Sequence, residues 1–132
     1  MLDKLQKHHL GIVVSEPDIV FLEKRVGKSF HIDHTQGVRV LFERDPYLKL
    51  YREYIVKEGR AKNYEFGLNH ICFNVDNVKS LNSIHKYLTT NQLAFRLTFP
   101  EKSGSEECNY IVFYKHKDFG IIEFNILSYE DS

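Results

Sequence analysis

His9-Leu-Gly-Ile-Val-Val-Ser15 and, 61 residues later, His70-Ile-Cys-Phe-Asn-Val-Asp76 have the same plan. Each opens on a histidine, continues as a short apolar run, and ends on a residue suited to cap a helix. Side chains alternate across a strand. If Leu10, Ile12 and Val14 pack under a helix, His9, Gly11 and Val13 face the other way. By the same rule His70, Cys72 and Asn74 oppose Ile71, Phe73 and Val75. A third run, Gly120-Ile-Ile-Glu-Phe-Asn-Ile-Leu127, carries Glu123 and Asn125 opposite Ile122, Phe124 and Ile126. His9, His70 and Glu123 therefore share a face away from the helical layer. Two histidines and a carboxylate from separate strands suit a divalent metal.

The rest of the chain repeats around these strands. After the first, Ser15 caps a helix with Pro17 in its first turn, and Ile19, Leu22 and Val26 recur at helical spacing up to Gly27. Short strands follow at 29–34, 37–42 and 48–56, with a turn at Asp45-Pro46. After the second, Asp76-Asn77 caps a helix whose Val78, Leu81, Ile84 and Leu88 form one stripe. Strands are expected at 93–99, 109–114 and 120–127, with a loop over 100–108. The order is β-α-β-β-β, twice. The fold class is α+β: two βαβββ modules forming a curved mixed sheet around a central cleft. A single domain spans 1–132, with module 1 at about 7–58, a connector at about 59–67 and module 2 at about 68–128. Duplication places pseudo-symmetric sites at the join.

The bulk numbers narrow the function classes. A chain of 132 residues, 42% hydrophobic and 27% charged, suits one soluble globular domain. Lys+Arg and Asp+Glu stand at 18 each, which gives no electrostatic reason to expect nucleic acid or a membrane surface. No signal-peptide-like start and no run of about 18 apolar residues is present, so the expectation is cytoplasmic. Cys72 and Cys108 have no metal-type spacing, and Cys72 reads as a small buried residue. His8 falls on the wrong face for the site, and His31, His34, His85 and His116 read as surface residues. Tyr51 and Glu53 share the face of Lys49, where they either line the cleft or lie on an ordinary exposed strand.

The segments His8-His9-Leu-Gly-Ile-Val-Val, Gln36-Gly-Val-Arg-Val-Leu-Phe, Gly67-Leu-Asn-His-Ile-Cys-Phe-Asn-Val-Asp-Asn and Gly120-Ile-Ile-Glu-Phe resemble the vicinal oxygen chelate superfamily. That superfamily includes glyoxalase I, extradiol dioxygenases, bleomycin-resistance proteins and methylmalonyl-CoA epimerase. The segments are most like those of the epimerase and its relatives. The resemblance implies a glyoxalase-like fold whose metal ligands come from the first and last strand of each module. Those places are His9, Lys49, His70 and Glu123. Lys49 departs from the pattern, since an ammonium group only donates and repels a cation.

The departure reads three ways. The strand register is off by a residue or two and Glu53 or water completes the shell; a three-ligand site forms from His9, His70 and Glu123; or no metal binds and Lys49 pairs with Glu123. The resemblance further implies a divalent-metal-dependent epimerase, isomerase or lyase acting on a small carbonyl or acyl-thioester substrate. Glu123 would be ligand and possible base, with Lys49, Tyr51, Asn74 and Asn125 lining the substrate pocket. The alternative is a metal-free protein that sequesters a small molecule, for which ten Phe and eight Tyr offer surface. The opposite-side carboxylate of some epimerases falls at Val40, which is no base; Glu43 is its nearest acidic neighbour in sequence. Relatives of this size also imply a homodimer.

Overall fold

The computed structural model describes residues 2–129. Nine strands form one open mixed sheet: β1 (Lys7–Val14), β2 (His31–Asp33), β3 (Val38–Asp45), β4 (Leu50–Val56), β5 (Gly67–Asn77), β6 (Ala94–Arg96), β7 (Glu101–Lys102), β8 (Tyr110–His116) and β9 (Gly120–Ser128). The helices are α1 (Glu16–Val26) and α2 (Val78–Thr90). Sheet order is β2-β3-β4-β1-β5-β9-β8-β6, with β7 beside β8. The first strand of each module lies parallel to its last, β1 to β4 and β5 to β9. The two first strands pair antiparallel at the centre. The four middle strands are therefore the first and last of each module. Neither helix is long and apolar enough to cross a membrane.

Local chemistry sets the helix ends. Ser15 donates its backbone N–H and its hydroxyl to Asp18, and Gly27 closes α1 at φ 78° with its N–H on the Glu23 carbonyl. In α2 the Asn77 side chain accepts from the Ser80 N–H at 2.9 Å. Leu81, Ile84 and Leu88 of α2 bury against Phe73, Val75, Val112, Tyr114, Ile122, Phe124 and Ile126. Under α1 the core is smaller: Leu22, Leu41 and Tyr54, flanked by Ile12 and Val14. These are the alternate residues expected to face the helices, so the opposite set points into the concave face.

That face is partly filled by the chain itself. Val38, Val40, Phe42 and Ile55 pack with Ala61, Tyr64 and Cys108. Ala61 and Tyr64 come from the connector, which forms a short 3-10 turn at Gly59–Ala61. Cys108 comes from the 103–109 loop. Three contacts fasten this roof across the modules: Arg60 to Glu101 at 2.6 Å, Thr35 Oγ1 to the Lys102 carbonyl at 2.7 Å, and His31 to Ser105 at 3.3 Å. The expected loop over 100–108 also contains β7, because Glu101 and Lys102 find backbone partners on β8. His116, expected at the surface, is buried; its Nδ1 accepts from the N–H groups of Asp118 and Phe119.

Candidate metal centre

His9 lies on β1, Glu53 on β4, His70 on β5 and Glu123 on β9, all on the concave face and all buried. His9 Nε2 is 3.0 Å from Glu123 Oε1, 3.2 Å from Glu53 Oε1 and 3.2 Å from His70 Nε2. His70 Nε2 is 3.0 Å from Glu123 Oε1 and 3.6 Å from Glu53 Oε1. One donor atom from each residue converges on one point. Ligands about 2.1 Å from a shared first-row ion stand about 3.0 Å apart at a right angle and about 3.4 Å apart at the tetrahedral angle. The five separations lie in or close to that interval, and N₂O₂ is a donor set that zinc, iron, cobalt, nickel and manganese accept. The residues present fit a divalent ion.

Register explains why these four meet. On β1 and β4, Gly11, two residues past His9, pairs with Glu53. On β5 and β9, Cys72, two residues past His70, pairs with Glu123. The offset is identical in the two modules. Gly11 also leaves room for the site: a Cβ built there would lie 2.1 Å from His70 Cε1, so the imidazole occupies the space a side chain would need.

Lys49 is placed elsewhere. It sits exposed in the turn before β4 at φ 56°, outside the cluster. The turn uses four residues, Pro46 to Lys49, because Asp45 accepts from the N–H groups of Tyr47 and Leu48. The strand thus begins at Leu50, and its ligand position is Glu53. The signal was in the sequence: Glu53-Tyr54 and Glu123-Phe124 are both a glutamate followed by an aromatic that buries under its module's helix.

The other expected pocket residues have their own partners. Tyr51 packs edge-on against Phe42 and stacks with Arg44. Asn125 donates to Asn74 at 3.1 Å and accepts from the Asn109 N–H at 2.7 Å, two residues along from the cluster. Glu43 lies on the helical face, held by Arg25, Arg52 and Tyr54. Val40 is fully buried in the roofed core. Sequence reasoning set His8 on the wrong face, yet its Nδ1 is 2.8 Å from His9 Nδ1. Asn69, not singled out, holds His70 Nδ1 at 2.8 Å.

Without a metal, the four groups balance one another. Burial opposes charge on His9, but Cys72, Glu123 and Glu53 around it raise its pKa well above 6.5. Burial also opposes charge on His70, and its bonds to Glu123 and Glu53 raise it. Glu123 and Glu53 are held below 4.5, the histidines outweighing burial. His8 runs the other way: burial and the neighbouring His9 push it down to about 4. Burial pushes the Cys72 thiol up, and that of Cys108 to about 12. His8, His9 and Cys72 also bring ligand atoms together. The 2.8 Å spacing of the two Nδ1 atoms is nevertheless that of a hydrogen bond.

Beside the cluster lies a crevice too narrow, as it stands, to hold a water molecule. Glu53 and His70 reach it, as do Gln36, Tyr64 and Asn69; Val38, Val40, Ile55, Ala61 and Phe113 make its walls apolar. No lysine or arginine lines it. A larger hollow near Gln92 and Lys117, at the sheet edge, contains no comparable donor cluster among the described residues.

No protein-family model and no curated protein sequence matches the chain. Solved structures do. Methylmalonyl-CoA epimerase from Mycobacterium tuberculosis is 16% identical with a TM-score of 0.63, over 93% of this chain and 88% of that one. A variant of the Streptomyces coelicolor epimerase, in complex with 2-nitronate-propionyl-CoA, is 19% identical with a TM-score of 0.63, over 98% and 99%. The fold is that of the vicinal oxygen chelate proteins. A 4-hydroxymandelate synthase variant from Streptomyces coelicolor shares it at 12% identity and a TM-score of 0.59, with 97% of this chain on 50% of that one.

Proposed function

We propose that the chain is a divalent-metal-dependent enzyme that moves a proton next to a carbonyl in a small substrate, as an isomerase or lyase with a single base. The observation that carries this reading is the convergence of His9, Glu53, His70 and Glu123. These four residues would hold the ion. When bound, it would act as a Lewis acid, polarising the substrate carbonyl and stabilising charge that develops on its oxygen. The similarity to methylmalonyl-CoA epimerases supports chemistry of this type.

The chain's own groups argue for one base. Of the two central carboxylates only Glu53 lines the cleft, so we assign proton transfer to Glu53, with Glu123 as a buried ligand. Across the cleft Val40 has no proton to exchange, and Glu43 is bound on the other face of the sheet. Epimerisation by two opposed carboxylates is therefore not the reading that fits best. Once the crevice widens to admit substrate, Gln36, Tyr64 and Asn69 would supply hydrogen bonds and the apolar walls would suit an aliphatic body. Without a cationic side chain in the cleft, substrate charge falls to the metal end.

The metal-free alternative drew on the aromatic content and on Lys49 replacing a ligand beside Glu123; the second support is missing, because Lys49 lies in an exposed turn. A cytoplasmic homodimer remains part of the proposal; a monomer by light scattering at micromolar concentration would overturn the dimer. The function is tested by metal analysis of purified protein, then by proton exchange in D₂O with small 2-oxo acids and acyl thioesters. Stoichiometric metal and exchange at one stereochemical position are expected. Failure to bind Co, Ni, Mn, Zn or Fe would sink the reading.

A further inference from the structure

The two central strands do not pair evenly. Lys7 is opposite Phe73 and His9 opposite Cys72, so His8 is an extra residue on β1. Gly11 is opposite His70 and Ile12 opposite Leu68, so Asn69 is an extra residue on β5. Each module thus carries a β-bulge, and in each the inserted residue directly precedes the histidine of the cluster. In a regular strand that residue points to the opposite face. A bulge breaks the alternation and re-aims a side chain. Here both inserted side chains reach the ring that follows: His8 Nδ1 is 2.8 Å from His9 Nδ1, and Asn69 Oδ1 is 2.8 Å from His70 Nδ1.

The roles follow from donor and acceptor capacity. Asn69 Oδ1 only accepts, so His70 carries a proton on Nδ1. Nε2 of His9 and of His70 both face the common centre. A neutral imidazole bound to metal through Nε2 carries its proton on Nδ1, so in the metal-bound state His9 Nδ1–H donates and His8 Nδ1 accepts. With metal bound, both cluster histidines would then be the same tautomer, protonated at Nδ1 and with Nε2 turned to the common centre.

We propose that the bulge residues His8 and Asn69 are paired positioning residues that fix the tautomer and aim of His9 and His70 for metal binding. This rests on the metal-dependent reading above. A ligating histidine's outer partner is ordinarily a carboxylate, carbonyl or water, and its loss lowers metal affinity about 10–100-fold. The bulges supply that partner from the neighbouring residue, once per module.

Zinc affinity by chelator competition, with ¹⁵N NMR of the imidazoles in zinc-loaded protein, tests the proposal. Wild-type protein should show Nδ1–H signals for His9 and His70 with Nε2 on the metal. Asn69→Leu and His8→Phe, which remove the acceptor at similar volume, should each weaken zinc about 10–100-fold and broaden or lose the matching Nδ1–H signal. Asn69→Asp and His8→Gln, which keep an acceptor, should recover most of the affinity. If wild-type protein binds no zinc, cobalt(II), nickel(II), manganese(II) or iron(II) replaces it in the competition; if it binds none of the five, the metal reading and this inference fall together. Should wild type bind while Asn69→Leu and His8→Phe stay within about threefold of it, below the range of such partners, only this inference falls. If those two variants do not fold, Asn69→Asp and His8→Gln decide: near wild-type affinity is required, and a full loss overturns the inference.

Discussion

Gly11→Ala is the smallest change that should disable the candidate centre. The added Cβ would lie 2.1 Å from His70 Cε1, 2.5 Å from Nδ1 and 2.6 Å from Nε2. Carbon atoms rest comfortably about 3.5 Å apart, so the ring edge must retreat by about 1.4 Å. Its exits are obstructed: Phe113 packs edge-on with centroids 5.6 Å apart, and Asn69 holds Nδ1 at 2.8 Å. Metal–ligand distances tolerate about 0.2 Å, so a displaced His70 cannot remain a ligand. Overpacking costs about 1–3 kcal/mol, and the reduced freedom of the unfolded chain offsets about 0.4–1 kcal/mol of it. The net is a loss of about 0–2.6 kcal/mol, or a fall in Tm of up to roughly 15 °C for a chain of this size. The variant should therefore fold and bind zinc at least about 100-fold more weakly, beyond what loss of an outer partner alone produces. Chelator competition and a thermal melt read both quantities. His70→Ala in the same chain should relieve the crowding, so the two stability costs should not add. Zinc binding within about threefold of wild type, far from the loss argued for a missing ligand, would refute the ring position; so would strict additivity.

Three further expectations follow from the same geometry. Glu53→Gln should cost more than about 100-fold in metal affinity, whereas Lys49→Glu should leave it unchanged, by the same competition assay. Lys49→Gly, which removes a left-handed strain in an exposed turn, should raise stability by about 0.5–1 kcal/mol in a urea melt. The pH dependence has a definite sign. The raised histidines His9 and His70 stabilise the metal-free protein fully below 6.5, and this is lost as pH rises through their folded values. The lowered carboxylates Glu123 and Glu53 contribute above 4.5, and this is lost as pH falls. His8, held near 4, costs stability as pH falls from 6.5. Metal displaces the protons of His9 and His70, so apparent zinc affinity should keep rising above pH 6.5. A plateau reached below that pH in a titration series would contradict the raised histidines.

What could be read from the sequence depended on the range of the interaction. The helices were legible because Ser15, Gly27 and Asn77 act on their own next turn. The burial pattern of the central strands was legible because alternation is local. His9, His70 and Glu123 followed from that alternation plus the repeat. Glu53 was harder, since placing it needs the length of the turn before β4, and that length depends on how Asp45 binds the backbone of Tyr47 and Leu48. A count from the glutamate–aromatic pair repeated in the two modules would have supplied it without the turn.

His8 and Asn69 were illegible for a deeper reason. Strict alternation assigns every residue before a cleft-facing one to the helical side of the sheet, and a bulge is the exception that alternation cannot contain. The pairing that creates each bulge joins β1 to β5, across the boundary between modules. Neither module alone has the information, because each histidine's neighbour is re-aimed only when the other module's first strand is docked against it. The same docking brings His9 within 3.2 Å of His70 and completes the cluster. Assembly of the four donors and orientation of the two histidine rings thus depend on the same strand pairing. On this argument a lone module would hold one histidine and one glutamate, with neither ring aimed by the bulge that the partner strand imposes.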